Sequence, residues 1–170
     1  MKRLFSILSL AILLVFSGCT GDDGPQGPPG PESEVFELRN VNFTLNNNNE
    51  YTIFRQLNPQ ILDSDTILIY RLAGTTNPTT PVWQLIPRTL FLLQERELDY
   101  DFDFTRADFT IYLGSNYNLT TTPEYINNQT FRIVIIPGFF SRSSTALDMN
   151  DYNAVIKAYG INDKNVTVLK

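Results

Sequence analysis

The sequence predicts a mainly β protein: an antiparallel β-sandwich, immunoglobulin-like in general architecture, with one C-terminal α-helix. Three observations carry this. Between Val35 and Leu169, about nine short segments either alternate apolar and polar residues or run apolar and β-branched, as strands do. Turn-forming residues separate these segments at short intervals. Helical periodicity occurs in one late stretch only, where Tyr152, Val155, Ile156 and Tyr159 form a single apolar stripe. The sequence contains no internal repeat.

Val35 to Leu45 reads as a strand with a flaw. Phe36 and Leu38 share one face, whereas Val41, Phe43 and Leu45 have the opposite parity, so a bulge or bend is expected near Arg39-Asn40. Asn46 to Asn49 is a turn, because asparagine tolerates left-handed dihedrals and bonds its own backbone. Tyr51 to Leu57 returns, with Tyr51, Ile53 and Leu57 inward and Arg55 breaking the alternation. Asn58-Pro59 and Asp63-Ser64-Asp65 bracket a connection to the β-branched strand Thr66 to Leu72.

Gly74 to Pro81 is a loop by composition. Val82 to Ile86 and Thr89 to Leu93 are strands separated at Pro87, which a central strand does not accept. Trp83 between them is expected as a core or half-buried residue. Glu97 to Thr105 has the clearest alternation: Leu98, Tyr100, Phe102 and Phe104 against Glu97, Asp99, Asp101 and Asp103. Asp108 to Leu113 alternates again. Gly114 to Gln129 is a long polar connection, and Thr130 to Ile136, the most apolar strand, is expected at the centre of a sheet. The helix is predicted with Asp148 as its cap and Gly160 as its stop. Val166 to Leu169 closes the chain as a short strand.

Ahead of this domain the chain has a different character. Met1-Lys2-Arg3 is basic, Leu4 to Phe16 is nearly unbroken apolar, and Ser17-Gly18 precede Cys19, the sole cysteine. This is the pattern of a secretory signal peptide over residues 1–18, with an apolar run too short to span a bilayer. Glycine then recurs at every third position through Gly21, Gly24, Gly27 and Gly30, with Pro25, Pro28, Pro29 and Pro31 between. Only glycine fits the axis of a collagen triple helix, so a trimerising stub is one reading. The favoured one is a polyproline II spacer over residues 19–34 carrying a monomeric domain at 35–170. At roughly 3.1 Å per residue, such a spacer reaches about 40 Å.

Leu13-Leu14-Val15-Phe16-Ser17-Gly18-Cys19 resembles a bacterial lipobox, with Phe16 where Leu, Val or Ile is usual. The resemblance implies cleavage before Cys19 and its acylation, hence a membrane partner through lipid on Cys19. Lipobox, acidic pair and Gly-Pro triplets together are similar to the collagen-triplet-bearing surface lipoproteins of Bacteroidota, a group without an established activity. Asp22 and Asp23 are similar to the signal that sends such lipoproteins to the outer face of the outer membrane. Asp65-Thr66-Ile67 is similar to the periplasmic O-glycosylation site of the same bacteria, which makes Thr66 a candidate; a capped strand start explains the triplet equally well.

Composition narrows the chemistry. Loss of Lys2 and Arg3 leaves eleven basic against eighteen acidic residues, a formal charge of −7, which argues against nucleic acid as a partner. With no histidine and one cysteine, Ser-His-Asp and Cys-His catalysis, histidine-rich metal sites and internal disulfides are unavailable. No catalytic residue and no cofactor is assigned. Asp99, Asp101 and Asp103 are the candidate metal ligands, since hard cations take clustered oxygens. Against this, a straight strand does not curl its oxygens around an ion, and a solvated face on an edge strand, whose like charges discourage edge pairing, accounts for the same pattern. Asn116, Tyr117, Asn118 and Tyr125 on a polar loop offer contacts for a sugar or peptide, although an ordinary connection is the favoured reading of this stretch. The expected function is a membrane-anchored, non-catalytic binding module for a glycan, peptide or protein. The alternatives are a structural envelope component and a small hydrolase using two carboxylates of the 97–103 strand.

Overall fold

The structure is a computed structural model and describes residues 33–138 and 147–169. The signal peptide, Cys19 and the glycine triplets lie outside the described residues. Ten strands follow in order: β1 (Glu34–Val41), β2 (Thr44–Leu45), β3 (Tyr51–Gln56), β4 (Thr66–Asn77), β5 (Thr80–Ile86), β6 (Arg88–Phe91), β7 (Glu97–Phe104), β8 (Asp108–Ser115), β9 (Gln129–Ile136) and β10 (Thr167–Val168). Among the described residues there is one α-helix, α1 (Tyr152–Ala158).

The strands form two five-stranded sheets, β10–β1–β9–β4–β5 and β2–β3–β8–β7–β6. Every pairing is antiparallel except that of β1 with β10, where Phe36 faces Thr167 and Glu37 faces Val168. The sheets are stacked as a β-sandwich. Leu38, Ile67, Ile69, Ile86, Phe131, Ile133 and Ile135 of the first sheet pack with Ile53, Leu98, Tyr100, Phe109, Ile111 and Leu113 of the second. Period-two alternation is what delivers these residues to one side of each strand.

A second apolar layer lies on the outer face of the first sheet. There Val35, Tyr70, Val134 and Ile136 are covered by Tyr152 and Val155 of α1 and by Ile161. The bulge expected near Arg39-Asn40 is present: the β1–β9 register shifts between Leu38 and Val41, and Asn40 has φ 52°. Pro87 stands where the chain leaves the first sheet after β5 and enters the second as β6. Gly138 is fixed by space, since a Cβ there would meet the Ser64 backbone oxygen at 2.3 Å.

Three expectations are corrected. Gly74 to Pro81 is not a loop: β4 continues to Asn77 and turns through Pro78-Thr79 into β5. Register shifts at Leu72/Gly74 and Thr75/Asn77 absorb the irregular residues. Asn77 Oδ1 accepts from both the Thr79 N–H and its hydroxyl, which closes the turn. Pro81 is tolerated because β5 is an edge strand. The cap of α1 is Asp151, not Asp148: its carboxylate accepts from Ala154 N at 3.0 Å. Asp148 instead accepts from the N–H and side-chain amide of Asn150, forming a turn one step ahead, and these bonds hold its carboxyl below the usual range. Finally, β7 is not an edge, because it pairs with β6 on one side and β8 on the other. Its carboxylates therefore guard no free backbone.

These packing roles set two stability outcomes. Phe131→Ala, which empties a site between the sheets, is expected to cost about 3–5 kcal/mol. Asp151→Ala is expected to cost about 1 kcal/mol. Urea unfolding measures both, as a lowered midpoint with the slope unchanged.

Candidate functional site

A groove of about 510 Å³ opens at the end of the β3–β8 ladder, lined on its several sides by Leu45, Asn49, Glu50, Tyr51, the stretch from Tyr112 to Ser115 and that from Tyr117 to Leu119. Each wall has a local cause. In the β2–β3 turn, Asn46 Oδ1 accepts from the backbone of Asn48 and of Glu50, both at 2.9 Å. Asn49 takes φ 66°, a left-handed geometry asparagine tolerates. This tight turn presents Asn49 and Glu50 to the groove, with Asn46 Nδ2 donating to Glu50 Oε2.

The opposite wall follows β8. Asn118 caps a short 3₁₀ turn, Leu119–Thr121, by accepting from Thr120 N. Ser115 Oγ donates to the Tyr117 carbonyl at 2.6 Å. The Tyr117 ring is held at its tip by Thr122 Oγ1, 2.8 Å from the phenol oxygen, and on its face by Arg96, 5.2 Å away. Tyr112 OH donates to Asp103 Oδ2 at 2.9 Å. Burial first, then the hydrogen bond to Asp103, raises the Tyr112 phenol above its ordinary pKa. The result is a concave surface of three tyrosines, Tyr112 and Tyr117 anchored by these bonds and Tyr51 packed against the core, with amide, carboxylate and backbone groups between them. Such a surface stacks on flat apolar faces and bonds hydroxyls or amides.

The candidate loop residues divide. Tyr117 and Asn118 line the groove. Asn116 is structural: its amide donates to the Glu95 carbonyl and its oxygen accepts from Glu97 N, fastening the 116–128 connection to the β6–β7 turn. Tyr125 turns the other way, in a second 3₁₀ turn (Pro123–Tyr125), and lies beside Arg71. Thr66 is exposed at the start of β4, directly after Asp65, whose carboxylate accepts from Leu62 N.

Asp99, Asp101 and Asp103 stand on the outer face of the second sheet, opposite Gly114, Tyr112 and Thr110 of β8. All three are exposed. Asp99 accepts from Thr89 Oγ1, Asp103 accepts from Tyr112, and Asp101 accepts from the Phe102 N–H, so the three point to different partners. Among the described residues, no group of three histidine, cysteine or acidic side chains is arranged to hold a metal ion.

Two arginines form polar clusters that composition did not reveal. On the outer face of the first sheet, Arg132 bonds Glu37 at 3.0 Å, Asp163 at 2.8 Å and the Tyr152 hydroxyl, and lies 4.5 Å from the ring of Trp83. Trp83 is half-buried, as expected, between that guanidinium and Tyr152. Within the sandwich, Arg71 Nε donates to Gln129 Oε1 at 3.0 Å, and its guanidinium lies 4.6 Å from the Tyr100 ring. Parity held the signal for Arg71, which follows Ile67 and Ile69 on the inward face of β4. Glu50, Tyr51 and Tyr112 meet only through the β3–β8 register, which no local pattern in the sequence encodes.

No protein-family model, no curated protein and no solved structure matches the chain. Among the described residues, no helix is long and apolar enough to cross a membrane.

Burial raises the phenols of Tyr70, Tyr100 and Tyr152, that of Tyr100 to about 12 although Arg71 pulls it down. Above about pH 10 the unfolded chain releases these protons while the folded chain keeps them. Their contribution to stability is therefore complete below pH ~10 and declines as pH rises towards ~12. Urea midpoints measured from about pH 8 upward should stay level and then fall over that window, and less steeply in Tyr100→Phe.

Proposed function

We propose that this chain is a lipoprotein held on the outer face of the outer membrane through acylated Cys19, with a sandwich domain that acts as a non-catalytic binding module for a glycan. The groove beside Tyr51, Tyr112 and Tyr117 is the observation that carries this reading. Its volume of about 510 Å³ falls within the ~300–1,000 Å³ common to ligand sites. Tyrosine faces suit the apolar faces of sugar rings, and Asn49, Glu50 and Asn118 suit their hydroxyls. A structural envelope component needs no such concavity. A two-carboxylate hydrolase finds no support in the row at Asp99, Asp101 and Asp103, because those groups are exposed on an open sheet face and the acid role calls for a sheltered carboxyl. The Gly-Pro triplets then serve as a stalk, and the domain acts as a monomer.

Binding is tested by presenting the purified domain to an array of bacterial and host glycans and titrating the hits. Tyr112→Ala is expected to weaken binding about tenfold. Binding to peptides alone would replace the glycan by a peptide ligand, and an empty result with both would return the domain to a structural role. The address is tested separately by protease treatment of intact cells with mass analysis of the N-terminal peptide. Digestion of the domain on whole cells together with acyl chains on Cys19 is the expected outcome; protection until the outer membrane is broken would place the domain in the periplasm.

A further inference from the structure

Arg71 is 8% exposed and lies at the same end of the sandwich as the groove. A guanidinium stays charged at any physiological pH, so burying it without a counter-charge is unfavourable. Buried arginines ordinarily meet a carboxylate. Arg132 does: it is flanked by the rings of Trp83 and Tyr152 and bonds Glu37 and Asp163. Arg71 has the same aromatic setting, 4.6 Å from the Tyr100 ring and 5.8 Å from that of Tyr125, yet no carboxylate of the described residues forms an ion pair with it.

Its Nε donates to Gln129 Oε1 at 3.0 Å. Gln129 has nothing more to give. Its Nε2 donates to the Glu124 and Asn127 carbonyls, both at 2.8 Å, and its oxygen also faces the Tyr100 hydroxyl at 3.4 Å. Nε is taken by that bond and the Tyr100 hydroxyl lies beside the guanidinium, but no carboxylate of the described residues accepts from Nη1 or Nη2. The side chain keeps a small exposed area, 8%, and its planar pair of outer nitrogens is the kind of fork that accepts a carboxylate through two parallel bonds.

We infer that Arg71 is a receptor for a carboxylate group supplied by a ligand, clamped between Tyr100 and Tyr125. The carboxylate of a uronic acid or of a peptide C-terminus is a group of this kind. Because the domain as a whole is acidic, recognition is short-range, made by the fork and not by long-range attraction. The inference does not require the groove to hold a glycan, and either site can fail alone.

The test uses the full mature chain and calorimetric titration with glucuronate and with N-acetylglycine, against glucose and N-acetylglycinamide, at matched ionic strength. One or both acids are expected to bind and both neutral analogues to fail; which acid binds identifies the source of the carboxylate. Arg71→Gln should lose this binding by on the order of tenfold to a hundredfold. Arg71→Met, read in the absence of ligand, should leave the melting temperature unchanged or raise it, since it removes an unpaired buried charge. Should either variant fail to fold, the proposal is wrong, because the charge is then a structural necessity. Failure of both acids to bind wild type, or equal binding to Arg71→Gln, overturns it as well.

Discussion

Strand β9 is the constraint on which the other elements depend. Its inward side chains, Phe131, Ile133 and Ile135, and its outward ones, Val134 and Ile136, are all buried. A strand apolar on both sides has to be covered twice. The second sheet supplies one cover, and α1 with the residues after it supplies the other. Its flanks are covered too, by β1 on one side and β4 on the other. The parallel β10, which extends the sheet beyond β1, becomes intelligible in this light: the chain has to come back across the outer face after α1, and the strand it then meets runs in its own direction.

The polar residues of β9 are as informative as the apolar ones. Arg132 interrupts the outward apolar series, and its charge is met by Glu37 from β1 and Asp163 from the chain beyond α1. The same ion cluster thus fastens the helical cover to the sheet, with Tyr152 of α1 bonded to both Arg132 and Asp163. Gln129 opens the inward series and does the corresponding job at the end of the core, holding Arg71, Tyr100 and the 123–127 turn through one amide. An amide can serve three neighbours at once because it carries both donors and acceptors. A carboxylate in its place would pair with Arg71 but lose the bonds to the Glu124 and Asn127 carbonyls.

Much of this architecture was legible in the sequence because it rests on local signals. Alternation located β3, β7 and β8; a continuous apolar run located β9; the parity change at Arg39-Asn40 located the bulge; one apolar stripe located α1. Misreadings arose where a local signal had two physical meanings. Threonine, asparagine and proline between Gly74 and Pro81 spell a loop when counted, but β-branched threonines on an exposed edge extend a strand equally well. Asp148 and Asp151 both suit a helix start, and only the direction of the chain entering α1 decides between them. The groove was half legible. Tyr117 and Asn118 announced themselves on a polar loop, whereas Tyr51 and Tyr112 looked like ordinary strand residues until the register set them beside that loop.

The uneven distribution of polar groups argues where recognition belongs. Carboxylates on the outer face of β7 are exposed and bonded one by one to neighbouring hydroxyl or backbone groups, an arrangement that keeps a sheet face solvated and asks nothing of a ligand. The end of the sandwich under the 116–128 connection is different. There the connection sends Tyr117 and Asn118 into the groove on one side and Tyr125 against Arg71 on the other. Buried polar groups that fold stability alone does not call for are a cost, and a fold keeps them where they meet something it does not contain. The Arg132 cluster meets its counter-charges within the chain and is complete. The Arg71 site and the tyrosine groove share one loop, which sets Tyr117 and Asn118 in the groove and Tyr125 beside the guanidinium.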